Sequence, residues 1–142
     1  MSTRLDRNQL TQLMNEDLAS EYRSIVQYNQ HVASLKGLEV QGLVTELKQH
    51  LGQELSHAMI LAEQIDFLGG IPTVDVPSIP SVTDTQGALH LDLELEEQQL
   101  ERYRERIQQA QDLELPDVAE ALRPLLEQTQ EHVRDLRAAI GR

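Results

Sequence analysis

A glutamate and a histidine three residues apart, Glu54 and His57, stand on one face of any helix that contains them. Both side chains ligate metals of hard to borderline character. Leu47, Leu51, Met59, Leu61 and Ile65 set them in an apolar helical pattern, so the pair is expected to face a core. A buried ionised carboxylate is strongly disfavoured unless something compensates its charge. A cation held between the two side chains would do so.

One such pair is weak testimony, because Glu-rich helices produce it by chance. An internal repeat strengthens it. Moving 75 residues along the chain carries Leu18 to Leu93, Ile25 to Leu100, Val32 to Ile107, Leu47 to Leu122, Leu61 to Leu136 and Ile65 to Ile140. The polar residues follow the same offset: Glu21 goes to Glu96, Tyr28 to Tyr103 and His57 to His132. Two helical hairpins are therefore expected to carry equivalent groups at equivalent heights. The exception is Glu54, whose counterpart is Thr129.

The elements that must position these residues follow from composition and periodicity. With 142 residues, the chain is read as a single domain, 1–142, and its Leu-, Gln- and Glu-rich content with only 3% aromatic residues is helical. There is no cysteine, which excludes disulfides, thiolate zinc sites and iron–sulfur centres within the sequence. No apolar run has the length of a membrane span, and Met1 to Arg7 is too polar for a signal peptide, so a cytoplasmic location without membrane contact is expected. The formal net charge of −12 opposes nucleic-acid binding and favours cations near the surface.

Four helices are predicted, at about Asp6 to Leu35, Leu38 to Leu68, Ala88 to Gln111 and Asp117 to Ile140. The first and second are separated by little more than Lys36-Gly37, which makes them antiparallel neighbours. From Gly69 to Gly87, Pro72, Pro77 and Pro80 preclude a helix, and the segment suits a crossover along the bundle. On the third helix Glu96 falls in the middle of the stripe formed by Leu89, Leu93, Leu100, Tyr103 and Ile107. The fold class expected is all-α, an antiparallel four-helix bundle with one long crossover between helices two and three.

Glu on the first and third helices, with Glu-x-x-His on the second, is the layout of carboxylate-bridged dimetal bundles. The whole chain resembles the ferritin-like superfamily, and most closely bacterioferritin. The resemblance is carried by Glu21-Tyr22-Arg23-Ser24-Ile25-Val26-Gln27-Tyr28 with His31, by Glu54-Leu55-Ser56-His57-Ala58 and by Asp66-Phe67-Leu68-Gly69-Gly70-Ile71-Pro72. It implies a ferroxidase that oxidises Fe(II) with dioxygen or peroxide and stores or detoxifies the ferric product. By the same resemblance Glu21 and His57 would hold one iron, Glu96 and His132 the other, and Glu54 would bridge them, so these five are the candidate metal and catalytic residues. Tyr28 and Tyr103 would orient the carboxylates.

Three departures from the family pattern stand in the sequence. Thr129 occupies the place of a second bridging Glu, which implies a weaker or empty second iron position, with Gln128 a poor substitute ligand and His132 open to a plain structural role. Leu55 replaces the Met that ligates haem, so no haem is expected. No fifth helix follows, which bears on assembly into a 24-subunit cage, although a homo-oligomer of at least two chains is expected. His50 lies on the face of Glu54, either as an extra ligand, as a residue lining the way in, or as a half-buried helix histidine. Alternatives to the ferroxidase are a bundle that binds one iron, zinc or manganese ion without turnover, and a metal-free structural bundle whose di-iron site has decayed.

Overall fold

The computed structural model describes residues 5–141. Helix α1 spans Arg7–Ser34, α2 Gln41–Phe67, α3 Thr85–Asp112 and α4 Pro116–Ile140. These are the four helices the periodicity predicts, and the architecture is an all-α bundle.

Each helix start and stop has a local cause. Asp6 and Gln9 cap α1 reciprocally, each side chain accepting the other's backbone N–H at 2.8 Å. Leu38–Val40, expected as the start of the second helix, is a 3-10 turn instead. Gly37 precedes it at φ 110°, a conformation costly for any residue with a Cβ. At the end of α2, Gly69 adopts φ 89°, and Gly70 N–H donates to the Ile65 carbonyl at 2.9 Å. A Cβ on Gly70 would lie 2.3 Å from a Thr11 methyl, so this close approach of the turn to α1 also requires glycine.

Helix α3 begins three residues before the predicted Ala88. Asp84 accepts the Gly87 N–H at 2.8 Å, and this cap makes a glycine acceptable in the first turn. The turn into α4 repeats the closing geometry of α2 with a different residue. Leu115 N–H donates to Ala110 at 2.9 Å, while Glu114 takes the left-handed position at φ 61°.

Helix α1 packs on α2 and on α3, and α4 packs on α3 and on α2, while across one diagonal α2 and α3 meet through side chains, Glu54 beside Glu96 and His57 beside Tyr103. Side-chain register makes the neighbours antiparallel: Asp17 meets Arg106 while His31 meets Asp92 across α1 and α3, and His50 meets Asp135 while His57 meets Gln128 across α2 and α4. The crossover lies along α1. Asn15 holds it at Ile71 and Thr73, Tyr22 at the Thr73 carbonyl, and Gln30 at Ser81 and Val82.

The apolar interior is divided in two. One cluster is built on Leu10, Met14, Leu18, Leu61, Ile65, Ile107, Leu122 and Leu125, the other on Leu35, Leu47, Leu89, Leu93, Val133 and Leu136. Between them lies a polar layer containing Glu21, Glu54, His57, Glu96, Thr129 and His132, each at most 1% exposed. The repeat extends to a buried pair of acids that the sequence reading passed over. Asp17 accepts from Arg102 and Arg106, and its counterpart Asp92 accepts from Gln27 and contacts His31. Arg102 and Arg106 occupy the repeat positions of Gln27 and His31, so α1 and α3 are clasped on both sides of the polar layer by related contacts. One apolar expectation fails. Met59 is 64% exposed, because it lies two residues from His57, about 200° around the helix and thus on the opposite face.

Candidate metal centre

Glu54 stands at the middle of the polar layer and addresses both histidines. Its Oε1 is 2.9 Å from His132 Nδ1, and its Oε2 is 3.5 Å from His57 Nδ1. Glu21 Oε1 lies 3.6 Å from His57 Nδ1, and Glu96 Oε1 lies 3.3 Å from His132 Nδ1. The five side chains thus form two groups, Glu21–Glu54–His57 and Glu54–Glu96–His132, each offering ligand atoms within 4.8 Å of one another. The two imidazole planes are 25° from parallel, with ring centres 6.2 Å apart. All five sequence-predicted residues converge on this one place in the bundle.

Their supports follow the repeat across the bundle. Tyr28 on α1 donates its hydroxyl to Glu96 on α3 at 3.0 Å, and Tyr103 on α3 donates to Glu21 on α1. His57 Nε2 donates to Gln128 Oε1 at 2.7 Å, and His132 Nε2 to Gln53 Oε1 at 2.5 Å. Gln53 and Gln128 are themselves repeat equivalents. An amide oxygen can only accept, so each glutamine holds the proton on Nε2 and turns the Nδ1 lone pair toward the carboxylates, the tautomer a metal ligand needs. Gln128 therefore sits behind the His57 ring, away from the carboxylates, where it orients a ligand rather than replaces one. The available signal for this role was the Gln53–Gln128 repeat, which sequence analysis did not use.

The electrostatics are those of a site with excess negative charge. Burial, with Glu21 and Glu96 on either side, pushes the Glu54 carboxyl well above the ordinary range. Burial acts in the same direction on Glu96, but His132 and the Tyr28 hydroxyl outweigh it and hold that carboxyl low. Burial lowers His57, yet the neighbouring Glu21 carboxylate prevails and keeps it above its usual range. Burial next to Glu96 and Glu21 pushes the Tyr28 and Tyr103 hydroxyls well up, so both remain donors.

Four buried ligand atoms have no hydrogen-bond partner among the described residues: Oε2 of Glu21, of Glu54 and of Glu96, and Nδ1 of His57. Leaving such groups unpaired in a core costs about 1–3 kcal/mol each, more when charged. Their convergence on two small volumes suits divalent ions with mixed oxygen and nitrogen coordination. Thr129 is fully buried one turn before His132, and its hydroxyl also lacks a partner among the described residues. Glu127 and Glu131 on the same helix are exposed.

A family model for the ferritin-like domain matches residues 11–142. Among solved structures, the fold superposes on one described as "ferritin like, diiron-carboxylate proteins" from Bacillus anthracis str. Ames, with a TM-score of 0.90, 29% sequence identity and 99% of each chain covered. No curated protein matches the sequence.

Proposed function

We propose, for a chain that belongs to the ferritin-like family, that it binds iron in the bundle core and oxidises Fe(II) there. The observation that carries this reading is the position of Glu54, which offers one carboxylate oxygen to each of two Glu–His groups. The similarity to a diiron-carboxylate structure supports iron as the metal.

Glu21 and His57 would be the terminal ligands of one ion, Glu96 and His132 those of the other, and Glu54 the bridge. Bound ferrous ions supply the electrons, one each, that reduce dioxygen or peroxide. The chain's residues do the rest. Glu54, whose carboxyl burial beside Glu21 and Glu96 holds above the ordinary range, would have to be deprotonated to ligate. Tyr28 and Tyr103 hold Glu96 and Glu21 in place through one oxygen and leave the other free to ligate. Gln53 and Gln128 accept from Nε2 of His132 and His57 and so leave Nδ1 of each ring facing the carboxylates, where it would ligate. The apolar clusters above and below exclude bulk water from the layer.

The shortage at Thr129 bears on both positions, since a carboxylate there would lie between the two groups as Glu54 does. Three carboxylates fall one charge short of neutralising two divalent ions, and further short of two ferric ions. This deficit favours a second reading, in which one ion is held firmly by Glu21, Glu54 and His57 and turnover is slow.

Assembly and cofactor proposals accompany the main one. Leu55 and Met59 on α2, and Val26, Val74 and Val76 beside the crossover, are large apolar side chains at least 45% exposed, which supports pairing with another copy. The chain is proposed to work without haem, because Leu55 offers no sulfur. No helix among the described residues is long and apolar enough to cross a membrane. The chemistry is tested by anaerobic Fe(II) titration of the purified protein, followed by oxygen-electrode recording for the parent and Glu54→Ala. Stoichiometric Fe(II) binding with oxygen uptake that the variant loses is the expected result. A parent that binds no Fe(II), or a variant that consumes oxygen at the parent rate, would overturn the proposal.

A further inference from the structure

One turn before Glu54, His50 lies 2% exposed with its ring stacked on that of His132, ring centres 4.0 Å apart and planes 26° from parallel. Its Nε2 is 3.1 Å from Asp135 Oδ2 on α4. Glu46, one further turn back on α2, completes a group of three whose ligand atoms all lie within 4.8 Å of one another.

Nothing in the pseudo-symmetry of the bundle calls for this group. The repeat partners of Glu46 and His50 are Ala121 and Leu125, and that of Asp135 is Ile60. The arrangement is thus peculiar to one side of the molecule. It also brings two carboxylates together from different helices, and burial together with Asp135 raises the Glu46 carboxyl above the ordinary range. His50 Nδ1 is buried without a partner among the described residues.

The group leads from solvent to the core. The Asp135 side chain is 44% exposed and borders a surface depression of about 510 Å³, whereas the His50 side chain is 3% exposed and touches the ring of a metal-site histidine. We propose that Glu46, His50 and Asp135 form a third divalent-cation site, an outer port at which a cation exchanges water for two carboxylates and an imidazole before passing to the inner pair. The binding site stands on its own geometry; its role as a port rests on the inner pair being a metal centre. Two carboxylates and one imidazole, of which only Asp135 reaches the depression and there stands beside Arg134 and Arg137, suit a transient stop, strong enough to gather a divalent ion and weak enough to release it.

Manganese(II) alone is the probe, counted per chain by its electron paramagnetic resonance signal and followed in time as free ion disappears. The parent is compared with Glu46→Gln/Asp135→Asn, both half-open positions, and with Glu54→Ala, which removes the inner bridge. The expected result is one ion fewer in the double variant than in the parent, with loading of the remaining ions slowed about tenfold through loss of local attraction. Asp135→Asn alone serves if the double variant melts early. Equal counts in parent and double variant overturn the site, and a lost ion with unchanged loading overturns its role as port. Should the inner pair not bind metal, Glu54→Ala matches the parent while the port ion still disappears from the double variant, which separates the two failures.

Discussion

Replacing Thr129 by Glu asks the structure to complete the symmetry that Glu54 begins. In the metal-free protein the change inserts a longer, ionisable side chain at a fully buried position one turn before His132, where the Thr129 hydroxyl already lacks a partner among the described residues. Overpacking costs about 1–3 kcal/mol, and an unpaired buried acid costs about 1–3 kcal/mol more, so a loss of about 2–6 kcal/mol is expected. For a domain of this size that is a fall of roughly 6–18 °C in Tm. Divalent metal should reverse the order of effects. A second bridging carboxylate that tightens binding tenfold adds about 1.4 kcal/mol at saturating metal, so the metal-induced rise in Tm should exceed the parent's by about 4 °C. Oxygen uptake with Fe(II) should quicken as the charge deficit closes. The assay is a thermal melt and an oxygen trace for both proteins, with and without Mn(II) or Fe(II). If metal raises both melting points equally and the rates agree, position 129 does not serve the site, and the repeat loses its authority for placing His132.

Two further outcomes are expected. Gln128→Leu removes the acceptor behind His57 and frees its tautomer, which should weaken metal binding by about 10–100-fold with little change in the fold, measured by metal titration with Gln53→Leu as the equivalent test at His132. Glu114→Gly replaces an exposed residue held at φ 61° and relieves about 1–2 kcal/mol of left-handed strain, partly offset by the entropy of a freer unfolded chain; urea unfolding should show a net gain near 1 kcal/mol.

The bundle was legible because its signals reinforce one another. Helical periodicity, glycine stops and a proline-rich crossover each pointed to four helices, and the 75-residue repeat fixed which faces match. The acids and histidines of the core layer could be singled out because each interrupts an apolar stripe, as Glu96 does between Leu93 and Leu100. What escaped the sequence depends on side-chain direction and on partners across the bundle. Met59 lies on the same helix as Glu54 and His57 but on its opposite, exposed face. Gln53 and Gln128 look like ordinary helix residues until the histidines behind which they sit are located. Glu46, His50 and Asp135 have no counterparts in the repeat, so a comparison of halves could not reveal their grouping. Helix α3 starts early because a single carboxylate, Asp84, outweighs the helix-breaking tendency of Gly87.

The tyrosines exchange services between hairpins, and that exchange has a consequence for how the chain comes into being. The first hairpin contains Glu21, Glu54 and His57, yet the hydroxyl that steadies Glu21 and the amide that orients His57 belong to α3 and α4. A chain emerging from synthesis with only its first half complete therefore carries Glu21, Glu54 and His57 without the groups that steady them. Only when the second hairpin docks do these groups meet, so under the proposed function metal affinity would report on assembly and the metal would join the halves. Cutting the crossover would turn this conjunction into a bimolecular event, with the centre present only at concentrations that hold the two hairpins together.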